Sequence, residues 1–412
     1  MEGDVRLMRR PRLLYLGHNL PYPPHEGALI RSYHTVRILS RAFDVTALYF
    51  CRRSAATTRD DFELALAHMV QYGDAHAFRI HQDWSRLRLI GDHGLSLFSQ
   101  RPYTRWTYHS GDFRRKLEEA LESERFDVVH MDSLDLYGYL PLLRDLPVVL
   151  AHHNVESQLL MRRAEAERGP TKWYISRQAR LVERIERDLG DRVELNITVS
   201  DEDAVTLRNL SPRSTVITLP NGVDTHHFRG SNARQTPGML AFVGGHSWFP
   251  NADGMRYFAT SILPRIKREV PGVTVKWVGK APLEVRSEFA AMGVEMLGYV
   301  EDIRPTIDEA ECVIVPLRVG GGTRLKILDA WSLGKAVVST TRGCEGLRVR
   351  DGANILVADT PEAFSRAVVR TLKDAGLRRV LEAGGRTTTQ EHYDWEVVGS
   401  RMLDAYLNLL PG

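Results

Sequence analysis

Residues 311–341, ECVIVPLRVGGGTRLKILDAWSLGKAVVSTT, decide the fold that this sequence predicts. The run from Val313 to Pro316 is typical of a buried strand, because it is β-branched and stops at a proline. Three glycines and Thr323 follow, and threonine is a good helix N-cap. Residues 324–333 favour a helix that is apolar almost all round, and a second apolar run begins at Ala336. Strand, glycine turn, helix and strand together predict one βαβ unit.

The glycine turn has the composition of an anion-binding site. A glycine loop that leads into a helix offers backbone N–H groups and the positive end of the helix dipole to an anion. Arg324 and Lys326 add two cations, and Asp329, one turn later, could accept hydrogen bonds from sugar hydroxyls. The backbone groups that we assign to this cradle belong to Gly320, Gly321, Gly322 and Thr323. These parts suit a sugar nucleotide, although three glycines before a helix can also be a plain turn, and neither G-x-G-x-x-G nor a P-loop is present.

This stretch resembles the nucleotide-binding segment of retaining glycosyltransferases of family GT4, which have the GT-B fold. Their usual pattern is E-x7-E, and a subgroup reads G-G-G-T-R-x-K-x-x-E-A. The run from Gly320 to Arg324, together with Lys326, matches the subgroup. Asp329 stands where the second glutamate would be, and Gly321 stands where the first would be. The resemblance implies that Arg324 and Lys326 neutralise a departing diphosphate and that Asp329 holds a ribose.

Length and composition indicate an ordinary globular protein with two domains. The chain has 412 residues, of which 43% are hydrophobic and 26% charged, and a length of this order exceeds a single compact core. Its formal net charge of +3 does not indicate a nucleic-acid partner. Three widely spaced cysteines argue against a disulfide scaffold and suit a reducing cytoplasm. No apolar run approaches the roughly 18 residues of a membrane span, and no signal-peptide core is evident.

The opening βαβ pattern resembles the acceptor domain of the same family. A short apolar strand over 13–16 leads into a Pro/Gly-rich loop over 21–27 and then into a helical repeat. In the family this loop lies beside the cleft, so the resemblance places Gly27 near the donor phosphates. Gly27 can equally be a turn glycine.

Polar residues follow two predicted strands of the first domain. Asp132 comes directly after FDVVHM, and the strand over 147–151 ends in His-His-Asn-Val-Glu. Residues beyond the carboxyl ends of parallel strands face the ligand crevice of an open α/β sheet. This tip resembles the family's H-N-x-E element, in which a histidine lies next to the donor sugar. We therefore assign His153 to catalysis and Asn154 to the donor site, with a purely structural histidine as the alternative.

An irregular segment, residues 83–109, is rich in aromatic and basic side chains. In GT-B enzymes the corresponding part of the first domain varies with the acceptor. The same mixture could also rest on an anionic membrane surface. Acceptor pocket, core lid and membrane contact are three open interpretations of this segment.

The segment P-N-G-V-D at 220–224, which precedes the second domain, resembles a frequent signature of the family. The first strand of this domain, 239–243, ends in Gly-Gly-His-Ser-Trp, and we assign His246 in this loop to the donor site. Most family members place an arginine and a lysine in these loops, and this sequence has neither, although it keeps a W-x-P-N element at 248–251. Further on, Tyr299 and Val300 stand where the family contacts the nucleotide base.

We therefore predict an α/β protein of the GT-B fold, with two Rossmann-like doubly wound domains facing across a cleft. The expected boundaries are 1–228, 229–392, and 393–412 for a helix that crosses back to the first domain. The implied function is retaining transfer of a sugar from a UDP- or GDP-type donor to a hydroxyl of a glycan, lipid-linked or small-molecule acceptor, without metal, cofactor or nucleic acid. The protein is expected in the cytoplasm, with contact at the inner membrane face left open, and its oligomeric state is not predicted.

Three alternatives stay open. A sugar-nucleotide epimerase could use the same fold and donor site. A catalytically silent sugar-nucleotide-binding partner of another transferase would explain the missing glutamate at Gly321 and the missing cations after Gly244. An NAD-dependent oxidoreductase is disfavoured, because Gly17 is not followed by the other glycines of the dinucleotide fingerprint.

Overall fold

A computed structural model describes residues 9–25, 27–53, 58–231, 235–320 and 324–410 of the chain. These residues form two compact units. The first runs to Leu219 and takes in the residues from Gly399 onward, and the second is Pro220–Val398. The division falls nine residues before the expected boundary at 228/229 and six residues after the one at 392/393.

The first unit alternates strands and helices along the chain. Its elements are β1 (Arg12–Gly17), α1 (Gly27–Leu39), β2 (Asp44–Cys51), α2 (Arg59–Val70), β3 (Asp74–Arg79), α3 (Arg86–Phe98), α4 (Thr104–Thr107), α5 (Gly111–Ser123), β4 (Val128–Met131), β5 (Val148–Ala151), α6 (Glu156–Ala166), α7 (Gly169–Gly190), β6 (Leu195–Thr198), α8 (Asp201–Leu210) and β7 (Val216–Thr218). Short 3₁₀ segments at His81–Trp84 and Leu134–Leu142 connect some of them.

The second unit repeats the alternation. Its elements are β8 (Met239–Val243), α9 (Phe249–Tyr257), α10 (Leu263–Glu269), β9 (Thr274–Val278), α11 (Leu283–Ala291), β10 (Glu295–Gly298), α12 (Arg304–Glu309), β11 (Cys312–Val315), α13 (Leu325–Ser332), β12 (Ala336–Ser339), β13 (Leu356–Val357), α14 (Pro361–Lys373), α15 (Ala375–His392) and α16 (Trp395–Leu407). The last helix begins in this unit and ends in the first.

Both sheets are parallel and doubly wound. The first has the strand order β3-β2-β1-β4-β5-β6-β7, and the second has the order β10-β9-β8-β11-β12-β13. Strands β4, β5, β11 and β12 are buried along their whole length, which is why they appear in the sequence as continuous apolar runs. The predicted class, two Rossmann-like α/β domains, is confirmed.

The order of strands reverses once in each sheet. The chain leaves β1 toward β2 and β3 on one side and returns to β4 on the other, and the second sheet does the same at β8 and β11. Ligands of open α/β sheets bind outside the carboxyl ends of the strands at such a switch point. The topology thus predicts one candidate ligand-binding region in each unit.

The organising βαβ unit of the sequence is present as β11, α13 and β12. The helix begins one residue later than predicted, with Arg324 at the N-cap, and Gly334 follows its end in the left-handed conformation (φ 68°). Gly321, Gly322 and Thr323 lie outside the described residues. No helix of the described chain is both long and apolar enough to cross a bilayer.

Candidate functional site

In the first unit, three polar side chains follow strands that are neighbours in the sheet. His18 comes after β1, Asp132 after β4, and His153 shortly after β5. The His18 and His153 rings have centroids 5.0 Å apart, and both histidines contact Asp132. The switch point of this sheet therefore gathers two histidines around one carboxylate.

Asp132 is completely buried and is the centre of this cluster. Its Oδ2 accepts hydrogen bonds from Ser32 Oγ (2.6 Å) and His18 Nδ1 (3.1 Å), and Oδ1 lies 3.4 Å from His130 Nε2. Burial alone would raise the pKa of Asp132, but hydrogen bonds from the histidines and the nearby His153 charge hold it well below its usual range. Asp132 is therefore an ionised carboxylate at neutral pH.

The tautomer of His153 follows from its partner. Its Nε2 lies 2.8 Å from the backbone oxygen of Asp132, and a carbonyl oxygen can only accept, so the proton is on Nε2. In the neutral ring Nδ1 then has a lone pair for a ligand hydroxyl. The His153 side chain is 12% exposed, so its ring is largely fixed by the protein.

His130 connects this cluster to the C-terminal helix. Burial lowers the pKa of His130, so its ring is neutral, donates from Nε2 to Asp132 and accepts at Nδ1 from the Tyr406 hydroxyl. Tyr406 is buried on α16. A chain of hydrogen bonds therefore runs from α16 through β4 to Asp132.

Two other residues of this unit, Asn154 and Gly27, were predicted to belong to the donor site. Asn154 is half-buried, and its Nδ2 donates to Glu156 Oε1 at 3.4 Å. Burial and the neighbouring Asp135 raise the pKa of Glu156 to about 7. Gly27 is the exposed first residue of α1, the helix that also supplies Ser32 to Asp132.

His18, Asp132 and His153 could also act as metal ligands. One ligand atom of each lies within 4.8 Å of the others, and imidazole with carboxylate is a donor set that transition metals accept. The hydrogen bonds described above already use Asp132 Oδ2 and His153 Nε2. Metal binding would require these bonds to be exchanged for metal bonds.

In the second unit, the switch point lies between β8 and β11. The loop after β8 contains Gly244, and an added Cβ there would lie 2.5 Å from the Asn251 amide. Trp277 Nε1 donates to the Gly244 oxygen at 2.6 Å, and Asn251 Nδ2 donates to the Gly245 oxygen at 2.9 Å. Glycine is required where the backbone packs this closely.

Lys326 lies at the same place, on the first turn of α13. Its Nζ donates to Asn251 Oδ1 at 2.7 Å and lies 4.2 Å from the centroid of the Phe242 ring. Burial, with a smaller contribution from the Arg324 charge, lowers the pKa of Lys326 to about 7, although the Asp329 charge acts in the opposite direction. An ammonium with so little compensation is well suited to bind an anion.

Asp329 lies one turn further along α13 and is half-buried. Burial raises the pKa of Asp329 to about 7, with the Lys326 charge acting in the opposite direction. The charges of Lys326 and Asp329 each offset only part of the effect of burial on the other group's pKa.

Arg324 occupies a more enclosed position than Lys326. It is 5% exposed, its Nη2 donates to the Arg342 oxygen at 3.1 Å, and it lies 3.8 Å from Glu345. Its guanidinium also packs below Gly320, where φ is +125° and an added Cβ would approach it to 3.1 Å. Arg324 therefore packs against Gly320.

The remaining predicted residues of this unit surround the ends of β8, β9 and β10. His246 is half-buried, and its N–H donates to the Lys280 oxygen. Tyr299 is 66% exposed, with Lys280 Nζ 4.9 Å from its ring centroid, and Val300 is half-buried beside it. An exposed aromatic ring at this edge offers a surface for a base to stack on.

Three residues of these clusters were not predicted as site residues. Asp132 directly follows β4 and was noted for that position without being assigned to a site. His18 directly follows β1, and the same signal could have identified it. Asn251 belongs to the W-x-P-N element, but its contact with Lys326 joins residues 75 apart in the chain. Such a contact depends on the packing of α9 against α13.

Two family models match the chain. Residues 27–227 match Glycosyltransferase Family 4, and residues 237–374 match Glycosyl transferases group 1. The two matches follow one another along the chain, and each falls mainly within one of the two units.

Curated relatives match over shorter segments. A glycosyltransferase of lipopolysaccharide core biosynthesis, LpsE of Rhizobium meliloti, is 32% identical over 124 residues, which are 28% of this chain and 34% of the relative. An uncharacterized 44.6 kDa protein in the cps region of Klebsiella pneumoniae is 24% identical over 170 residues, which are 39% of this chain and 44% of the relative. The chain thus aligns with less than half the length of either relative.

Solved structures match over nearly the whole chain. Sucrose-phosphate synthase from Thermosynechococcus elongatus has a TM-score of 0.68 and 16% identity, with 97% of this chain and 99% of that chain covered. HepE of Anabaena, in complex with UDP-glucose, has a TM-score of 0.66 and 13% identity, with 96% and 99% covered. At these identities the likeness establishes the fold. Taken with the two family models, it shows that the chain has the GT-B fold and belongs to the glycosyltransferases that carry family 4 and group 1 domains.

Proposed function

We propose that this protein is a retaining glycosyltransferase that moves a hexosyl group from a UDP- or GDP-sugar to an acceptor hydroxyl. The observation that carries the proposal is the position of Lys326 at the switch point of the second sheet. Its ammonium is held by Asn251 Oδ1 and the Phe242 ring, and its lowered pKa reflects a charge that its surroundings compensate poorly. A diphosphate would supply the missing negative charge.

The chemistry follows from where charge develops. When the bond between the anomeric carbon of the donor sugar and the diphosphate breaks, the diphosphate gains negative charge and the sugar becomes oxocarbenium-like. Lys326, with the N–H groups of the glycine loop, would stabilise the leaving group as preorganised donors do. Asp329 would accept hydrogen bonds from the ribose, and Tyr299 with Val300 would cover the base.

The first unit would bind sugar hydroxyls. His153 donates Nε2–H to Asp132 and keeps Nδ1 for a hydroxyl proton, and Asn154 adds a polar group beside it. Asp132 acts through His153 and His18, so it is a positioning residue. The proposal includes no metal, and the donor phosphate itself would take the acceptor proton, as the resemblance to GT4 implies.

The wider assignment rests on the relatives. HepE has been solved with UDP-glucose, and a pneumococcal O-GlcNAc transferase of the same fold has been solved with UDP and GlcNAc. The match of Gly320, Arg324 and Lys326 supports the G-G-G-T-R-x-K subgroup. We place the reaction in the cytoplasm, since Cys51, Cys312 and Cys344 are buried free thiols.

Transfer can be tested with the full chain and a panel of UDP- and GDP-sugars with hydroxyl acceptors. We expect nucleotide release that depends on acceptor, and a product with the donor's anomeric configuration by NMR. Product of inverted configuration would contradict the retaining mechanism. Conversion of the donor to an epimerised sugar in the absence of acceptor would instead show an epimerase.

A second candidate is a catalytically silent sugar-nucleotide-binding partner. It is favoured by the enclosure of Arg324, whose guanidinium faces Glu345 and the Arg342 carbonyl and is 5% exposed. Binding of UDP or GDP by calorimetry without turnover of any donor across the acceptor panel would establish this candidate over the transferase.

A further inference from the structure

Helix α3 packs on the protein through its polar side. Asp92 and Ser96 are its buried residues, with exposures of 1% and 0%. Ser96 Oγ lies 3.0 Å from the Tyr174 hydroxyl and accepts a hydrogen bond from Gln178 Nε2 at 3.1 Å. His93 Nδ1 lies 2.6 Å from the same tyrosine hydroxyl. Hydrogen bonds to α7 therefore hold this helix in place. An ordinary surface helix packs through its apolar side instead.

The apolar side of α3 faces water. Leu87 is 84% exposed, Ile90 68%, Leu95 52% and Phe98 94%. Positions 87, 90, 94 and 98 follow helical spacing and form one stripe, whose third member is Gly94. Large exposed apolar patches on a folded protein mark interaction surfaces, so this stripe is a surface without its partner.

Charge beside the stripe has one sign. Residues 84–109 contain four arginines, at positions 86, 88, 101 and 105, and a single acid, Asp92. That acid is buried and paired with Arg88 at 3.0 Å. The exposed charge that α3 and the segment after it contribute is therefore positive.

An arginine-lined pocket of about 500 Å³ lies just past the end of α3. Arg101, three residues after Phe98, lines it together with Arg105, Arg144 and Arg192, and Asp188 is the acid among these lining residues. The pocket reaches Val148, the first residue of β5, so it lies at the opposite end of that strand from His153. It is separate from the candidate sugar site, and its charge suits an anionic headgroup.

We propose that the exposed face of α3 and this arginine pocket form a docking surface for a bilayer that contains anionic phospholipids. An interfacial helix buries an apolar face among acyl chains and keeps cations at the headgroups, which is the arrangement of Leu87, Ile90 and Phe98 beside Arg86 and the pocket. A second copy of the chain fits less well, because a two-fold interface through this stripe would bring the same arginines together.

The test is co-sedimentation of the full chain with phosphatidylcholine vesicles, with and without phosphatidylglycerol. We expect binding that requires phosphatidylglycerol and weakens with salt. Leu87→Ser with Phe98→Ser should lower the partition coefficient at least about tenfold, because each removes a large apolar group from the lipid phase. Arg101→Gln and Arg105→Gln should each lower it about fivefold.

A matched control is Leu64→Ser on α2, which removes a leucine that is also exposed, at 67%, in the same unit. It should bind vesicles as the wild type does. Because Leu64, Leu87, Phe98 and Arg101 are exposed and α3 is held by its polar side, the variants at these positions should keep the wild-type unfolding temperature.

Two results would overturn the proposal. One is the absence of binding to phosphatidylglycerol vesicles, or equal binding by the Leu87→Ser/Phe98→Ser variant. The other is a vesicle-free, concentration-dependent dimer that this variant loses, which would assign the stripe to a second copy. The readout is partitioning, so it is independent of whether transfer activity is found.

Discussion

The two candidate regions hold their principal charges in opposite ways. In the first unit, the Asp132 carboxylate is completely buried but receives hydrogen bonds from several sides, and its pKa lies well below the usual range. In the second, the Lys326 ammonium has an amide oxygen and a ring as neighbours, and burial lowers its pKa to about 7. The fold compensates the charge of Asp132 fully and the charge of Lys326 poorly, and in the proposed function a diphosphate would compensate Lys326.

The difference separates two kinds of contribution. A buried charge that is fully hydrogen-bonded contributes to stability, because removing it leaves several donors without an acceptor. A poorly compensated charge costs stability in the free protein and is retained where function requires it. Mutation of Asp132 should therefore lower stability more than ligand binding, and mutation of Lys326 should lower ligand binding more than stability.

Lys326→Met gives the largest expected effect. Affinity for UDP or GDP, and turnover if present, should fall about 100-fold or more, because a preorganised cation at the diphosphate is lost. The unfolding temperature should stay the same or rise, since the burial penalty on the ammonium is removed. Calorimetry and thermal unfolding measure the two quantities.

The matched control is Lys276→Met in the same unit, where the lysine pairs with Glu309 at 3.2 Å on the surface. Surface pairs contribute little, so binding and stability should both stay near the wild-type values. If Lys326→Met bound nucleotide as well as this control does, the assignment of Lys326 to the diphosphate would be wrong.

Asp132→Asn should have the opposite profile. The amide cannot accept from Ser32, His18 and His130 together, and we expect a loss of about 3 kcal/mol in the free energy of unfolding. Urea denaturation followed by fluorescence measures this loss. Nucleotide affinity in the second unit should change far less.

Asp191→Asn is the control for that experiment, since Asp191 pairs with the largely exposed Arg213. Its unfolding free energy should change by less than about 0.5 kcal/mol. Equal stability of the Asp132 and Asp191 variants would show that the buried cluster does not stabilise the first unit.

Chelation should have the smallest effect. Asp132 Oδ2 and His153 Nε2 already have hydrogen-bond partners, so we expect EDTA to leave donor turnover and thermal stability unchanged. The contrary result would be a loss of turnover or stability in EDTA that a divalent cation reverses. If the His18→Ala variant did not show this loss, His18, Asp132 and His153 would be a metal site.

The strands were predictable because buried parallel strands appear as short apolar runs between glycines, prolines and polar residues. Strand β13 has two residues, too few for such a pattern to show. Residues after strand ends, such as His153, were predictable from topology. The contacts His130–Tyr406 and Lys326–Asn251 join positions 276 and 75 residues apart, and local sequence carries no signal for them.

The enclosure of Arg324 also could not be predicted. The sequence places it beside Lys326 in a basic pair, but at the N-cap of α13 its side chain packs against Gly320 and lies near Glu345. Two cations that are two residues apart in the sequence thus have different surroundings, and only the fold decides which one is poorly compensated.

Proton uptake on nucleotide binding tests the central claim most directly. With a pKa of about 7, Lys326 is mostly neutral at pH 8 in the free protein, and a bound diphosphate raises this pKa, so binding must take up a proton. Calorimetric titration of UDP or GDP at pH 8, in buffers of different ionisation enthalpy, should show uptake approaching one proton that Lys326→Met abolishes. Uptake near zero, or uptake unchanged in that variant, would contradict the role of Lys326 as the diphosphate receptor.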